Sequence, residues 1–228
     1  LPATVALPFL ECAEAAADTD SGIGGLEALE TLRPLLATVT SFQWLDRPRT
    51  GHSARWQDFG VQLSGSAQQL VFFELENKTN AGGILDARSV AIPLGATAND
   101  MVQRRLARLL RLFMDLKKIV CPGLACEDAA FWAISADERP ATWSSTTQTA
   151  WLQASLDMVG EAPPDNFTWT AYSLRHGGTT AAAAAGVPKH KYLHLGGWSR
   201  TSTTPEEHYI DPLASNSPAG MAFFGFLL

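Results

Sequence analysis

The sequence predicts an α+β domain, mostly helical, in which helices surround a small three-stranded antiparallel sheet. Two observations predict it. Long segments with apolar residues at helical spacing stand at both ends of the chain. Between them lie three short β-rich segments, separated by turn-forming clusters close enough for hairpins. With 228 residues, 46% hydrophobic and 18% charged, the chain is long enough and apolar enough to bury a real core. No internal repeat is visible.

In chain order, residues 1–24 end in DTDSGIGG and read as a loose lead-in, leaving 25–228 as the folded unit. LEALETLRPLLATVTSFQWL has helical periodicity interrupted by Pro34, which predicts one kinked helix or two consecutive ones. A polar stretch, DRPRTGHSARWQDF, follows. GVQLSG, QLVFFELEN and RSVAIPL are the three predicted strands, with turns at SGSA and KTNAGG. NDMVQRRLARLLRLFMDLKKI is an amphipathic helix with Leu106, Leu109, Leu110, Phe113 and Leu116 on one face. Its basic face reads as solvated, with DNA contact the lesser alternative. STTQTAWLQASLDMVG is a further helix. SLRHGGTTAAAAAGVP is another, with Ser173 as its N-cap, Gly186 as its C-cap and Pro188 as a stop. A short helix-turn region, HYIDP and a tail rich in glycine and phenylalanine complete the chain.

The net charge of −6 argues against indiscriminate nucleic-acid binding, but the charges are unevenly spread. Residues 1–40 carry one base against six acids, and 121–170 carry one against seven. Residues 41–120 carry eleven bases against seven acids, and 171–228 carry four against three. Two mildly basic segments leave room for a local anion site. Three cysteines, Cys12, Cys121 and Cys126, cannot all pair within one molecule. No second Cys/His pair stands at metal-ligand spacing to CPGLAC, so they read as ordinary thiols rather than a zinc site. No run is long and apolar enough for a membrane span, and LPATVALPFLECA lacks the basic start of a secretory signal. The first residue is Leu, so a fragment or a processed chain is expected.

The chemistry-bearing stretch is AYSLRHGGTTAAAAAGV. With Ser173 as N-cap, Arg175 and His176 fall in the first turn, where free N–H groups attract anions. A cation there is mildly unfavourable beside the helix dipole unless an anion arrives, and arginine offers a planar fork matched to phosphate. A surface arginine paired with a nearby acid is the equal alternative. The glycines and alanines that follow leave no bulky side chain, which suits close approach of a ligand or of another backbone. Farther on, LHLGGWS and EEHYIDP supply His194, Trp198, His208 and Tyr209.

Taken together, SLRHGGTTAAAAAGVP, LGGWS and the tyrosine of HYIDP resemble the catalytic domain of tyrosine recombinases, the phage-integrase family. DRPRTGHSARWQDF is similar to the family's first arginine box, here Arg47 ahead of Trp56 and Asp58. ENKTNAGG is similar to the hairpin that presents the family's lysine, here Lys78. The wording is nearest to recombinases of eukaryotic mobile elements, and the resemblance covers roughly residues 25 to 228. It implies site-specific cleavage and rejoining of double-stranded DNA, as in recombination or integration, through a 3′-phosphotyrosyl intermediate. Tyr209 would be the nucleophile, Arg47 and Arg175 the phosphate clamp, Lys78 the acid for the leaving oxygen and Trp198 a hydrogen-bond donor. His176 and His208 would be further phosphate contacts. Tyr172 stands where the family's box has its first histidine, and Trp198 precedes Tyr209 by a longer loop than is usual. The resemblance implies no cofactor and no metal, a tetrameric synapse on DNA and no membrane partner. It would place the protein in the nucleus if eukaryotic and otherwise in the cytoplasm. An amino-terminal DNA-clamping domain, usual in the family, is absent from the sequence. Three other readings stay open: an inactive relative that only binds DNA or protein, a type IB topoisomerase, and an interaction protein without a nucleic-acid role.

Overall fold

The computed structural model describes residues 3–18, 25–48, 54–64, 67–74, 88–93, 101–134, 144–213, 221, 223, 224 and 227. Helix α2 (Gly25–Trp44) is the axis of the core. Leu29, Leu32, Leu35, Leu36, Val39 and Phe42 along it are buried, so more than one stripe of the helix is covered. It packs against α1 (Ala3–Asp18), α3 (Met101–Val120), α4 (Ser145–Met158) and α5 (Ala171–Ala184). Pro34 does not divide α2: the helix runs through it, and Pro34 is buried. Two short helices follow, α6 (Lys189–Leu195) and α7 (Thr204–His208).

The lead-in departs from expectation. Ala3–Asp18 is a helix, and Val5, Phe9 and Leu10 sit in the core. Its alanine-rich sequence with an internal Pro8 weakens the periodic signal, and burial against α2 and α3 supplies what propensity lacks. Arg105 and Arg108 of α3 meet Glu11 and Glu14 of α1 at 3.5 to 4.0 Å on the surface.

The sheet follows the sequence. β1 (Phe59–Ser64), β2 (Ala67–Glu74) and β3 (Arg88–Pro93) form an antiparallel meander in the order β1-β2-β3. Phe59 lies opposite Phe72, and Leu70 opposite Ile92. The period-2 alternation turns Phe59, Leu70 and Phe72 towards an aromatic cluster. There Trp44 stacks on Phe72 at 5.2 Å and Phe59 stacks on Phe131 at 3.8 Å.

On α3 the expected apolar face is buried, with Leu116 at its edge half-buried. The basic face is not wholly solvated, however. Lys117 is fully buried, its Nζ donating to the carbonyls of Ala130 and Phe131 at 2.9 Å each and lying 4.7 Å from the Trp56 ring. Two carbonyls and a ring face replace water around the ammonium. At the far end of the chain Phe223 and Phe224 are buried against Phe42, and Gln103 of α3 donates to the Phe223 carbonyl at 2.6 Å. No helix among the described residues is long and apolar enough to cross a membrane.

Candidate active site

Helix α5 begins earlier than the sequence suggested. Thr170 is its N-cap and Ser173 lies in the first turn, its Oγ accepting the Thr170 N–H at 3.0 Å, the back half of a capping box. Arg175 therefore stands in the second turn, away from the free N–H groups of the helix start. It is also buried, at 1% exposure. The cause is the small residues beside it. A Cβ on Gly178 would lie 2.2 Å from the Phe42 carbonyl oxygen, so α5 approaches α2 backbone to backbone and carries Arg175 inward.

Two carbonyls and two rings among the described residues meet the guanidinium. Nη1 donates to the carbonyl of Leu45, and Nη2 donates to the carbonyl of Gly196 at 2.7 Å. The Trp198 ring lies 3.7 Å and the Tyr209 ring 5.3 Å from its central carbon. Leu45 is held in the left-handed region at φ 54, just past the end of α2. That conformation costs a residue with a Cβ about 1–2 kcal/mol. Burial of the Leu45 side chain and the Arg175 bond to its carbonyl offset the cost.

Trp198 reaches this position through the turn after α6. Gly196 and Trp198 donate backbone N–H groups to Tyr192 and Leu193, and Gly197 takes φ 63. A Cβ on Gly196 would fall 1.8 Å from the indole, so only glycine lets the ring fold back over Arg175. Trp198 and Tyr209 meet edge to face at 5.5 Å.

Tyr209 is half-buried and closes α7. Glu206 on that helix accepts from the Tyr192 hydroxyl at 2.8 Å and pairs with Lys189 at 2.7 Å. Burial and the Glu206 carboxylate push the Tyr192 phenol up to about 12. Burial works against the Glu206 charge, but bonds from Lys189 and Tyr192 outweigh it and hold the carboxyl below its ordinary range. His176, one residue past Arg175, has its ring 6.1 Å from that of Tyr209. Burial lowers its pKa against the opposing pull of Asp211.

Of the residues singled out in the sequence, the structure gathers Arg175, His176, Trp198 and Tyr209. Arg47 is half-buried and stands two residues beyond Leu45 in the chain. Tyr172 projects from the first turn of α5, 59% exposed. His208 is exposed, with Nε2 3.9 Å from Glu207. Lys78 and its hairpin lie outside the described residues. Trp56 and Asp58 of the first arginine box occupy a 3₁₀ turn: Trp56 packs on Phe131 at 4.6 Å, and Asp58 accepts the Arg55 N–H at 2.7 Å. The three cysteines are free thiols. Thr180, which bonds to the backbone around Tyr209, was missed in the sequence. A threonine on an alanine helix carries no sign of what lies across from it.

Comparison with solved structures identifies the fold. The XerH site-specific recombinase bound to difH substrate, in its pre-cleavage complex, is similar at a TM-score of 0.58 and 13% identity, over 92% of this chain and 49% of that one. The post-cleavage complex of XerH on palindromic difH is similar at 0.52 and 12%, over 100% and 49%. An FLP recombinase–Holliday junction complex aligns at 0.46 and 13%, over 93% and 48%. The chain thus spans about half the length of these proteins. No family model and no curated protein sequence matches it. The chain has the fold of tyrosine recombinases.

Proposed function

We propose that this chain binds double-stranded DNA and cleaves and rejoins its strands in a site-specific recombination or integration reaction, with Tyr209 as nucleophile. The observation that carries this reading is the contact of Arg175 with both Trp198 and Tyr209 on a tyrosine-recombinase fold. In the reaction the Tyr209 oxygen attacks phosphorus and the 5′-oxygen leaves, giving a 3′-phosphotyrosyl ester. A 5′-hydroxyl later reverses the step, and no nucleotide is consumed. The two non-bridging oxygens gain charge in the transition state. Arg175 and Arg47 would hold them, Lys78 would protonate the leaving oxygen, and Trp198 would donate its indole N–H. Self-association on DNA is part of the same proposal.

Phosphate must displace the rings to reach Arg175. Each cation–ring contact is worth about 0.5–2 kcal/mol. Charge-assisted bonds to an anionic phosphate are stronger, so bound DNA favours the opened arrangement. The carbonyl bonds to Leu45 and Gly196 keep the guanidinium aimed throughout.

A second reading, an inactive relative that only binds DNA or protein, is favoured by Tyr172 at the histidine position. A phenol donates a hydrogen bond but lacks the imidazole's capacity to act as a base at neutral pH. The separating experiment offers a randomised pool of nicked duplexes and, in parallel, a supercoiled plasmid. Covalent adducts from a sequence-restricted subset support the proposal. Relaxation of any plasmid points to topoisomerase chemistry, binding without adducts points to the inactive relative, and no salt-sensitive binding rejects a nucleic-acid role.

A further inference from the structure

Tyr209 closes a five-residue helix, and the chain beyond it, Ile210 to Leu213, has no helix or strand to hold it. Upstream, α7 is tied down by buried Pro205 and by Glu206. At and after Tyr209 the backbone turns on itself, with Tyr209 and Ile210 both donating to Pro205 and Leu213 donating to the Asp211 carboxylate. Among the described residues one side chain from another element hydrogen-bonds to the backbone of this stretch. The Thr180 hydroxyl, on α5, donates to the Tyr209 carbonyl at 2.9 Å and accepts the Asp211 N–H at 3.0 Å. Among the described residues these are the only hydrogen bonds from another element to the backbone of 209–213.

We infer that Thr180 is a positioning residue for Tyr209, fixing its main chain at a set distance from Arg175. The inference rests on the reading of Tyr209 as nucleophile. A hydroxyl has one hydrogen to give and lone pairs to accept with, and here it uses both roles on residues two apart. That fixes the direction of the chain as well as its position. The same helix carries Arg175 five residues earlier, so the phosphate-binding group and the anchor of the nucleophile belong to one rigid body. The bond holds the main chain and leaves rotation about the Tyr209 Cα–Cβ bond unrestricted. The ring can therefore turn off the guanidinium to admit a phosphate without the residue leaving its reach. Placement of this kind matters because small displacements of reacting groups cost large factors in rate.

The test compares Thr180→Val, which keeps the shape and removes the hydroxyl, with Thr180→Ser, which keeps the hydroxyl. Three quantities are read: hydrogen exchange of the Asp211 amide, affinity for DNA and the rate of covalent adduct formation on the randomised nicked pool. Thr180→Val is expected to expose the Asp211 amide to faster exchange and slow adduct formation about tenfold or more, with DNA affinity unchanged. Thr180→Ser is expected to match the wild type in all three. Wild-type adduct rates in Thr180→Val, or equal slowing in both variants, would overturn the inference. If the wild type itself forms no adduct, the nucleophile assignment fails separately. Exchange then still decides whether the clamp exists, because unchanged Asp211 protection in Thr180→Val would remove it.

Discussion

In the proposed reaction Arg175 meets two demands that pull against each other. It must be held rigidly enough to aim, and it must remain reachable by an anion. The carbonyls of Leu45 and Gly196 meet the first, and two displaceable rings meet the second. Removing the guanidinium leaves both carbonyls without that donor, at about 1–3 kcal/mol each. Arg175→Ala should therefore lower stability in urea by about 3 kcal/mol, whereas Arg104→Ala on the exposed surface of α3 should change it by less than about 0.5 kcal/mol. Equal losses would mean that the buried fork has no structural role. Any comparison of cleavage between the two variants has to be made where both are folded. Gly196 is the matching constraint on Trp198: an added methyl collides with the indole, so Gly196→Ala should cost about 2 kcal/mol in the same measurement. An unchanged midpoint would show that the ring does not rest there.

Packing between elements decides where the site can form. The α5–α2 contact depends on Gly178, where a Cβ would press on a backbone carbonyl that has no rotamer to escape into. Gly178→Ala should destabilise by about 3 kcal/mol. Gly123→Ala, at a glycine with open space around its Cβ position, should be neutral within about 0.5 kcal/mol in the same thermal or urea melts. The α6–α7 contact depends on Tyr192, Lys189 and Glu206, and it carries a pH signature. The folded protein holds the Tyr192 phenol up to about 12, above the ordinary value near 10. The folded state therefore binds that proton more tightly than the unfolded chain does. The resulting stability is fully present below about pH 10 and lost as pH rises towards 12. Melting curves across that window should show the decline in wild type and a smaller one in Tyr192→Phe. An identical decline in both would assign it to other groups.

At the scale of the whole molecule, what was legible in the sequence follows from how local each signal is. The three strands could be read because alternation and turn residues are written within a few positions of one another. Arg175, Trp198 and Tyr209 could be read as a set because their order resembles a known pattern. Helix α1 was hidden because Pro8 and a run of alanines blur its apolar periodicity, while its packing on α2 and α3 shows only in the fold. Lys117 was hidden because helical periodicity assigns lysine outward, and only the fold reveals two carbonyls waiting inside. The start of α5 was misplaced because Ser173 and Thr170 are both good caps, and the capping box uses them together. The sequence reading put Arg175 at the helix start; the structure instead places it in the second turn, where it gathers its partners through burial. The most direct measurement is to trap covalent adducts on the randomised nicked pool and map the modified residue by peptide mass spectrometry. The account predicts a nucleotide attached to Tyr209, and no adduct from a Tyr209→Phe variant that still binds DNA. An adduct on another residue, or one that persists in Tyr209→Phe, would contradict it.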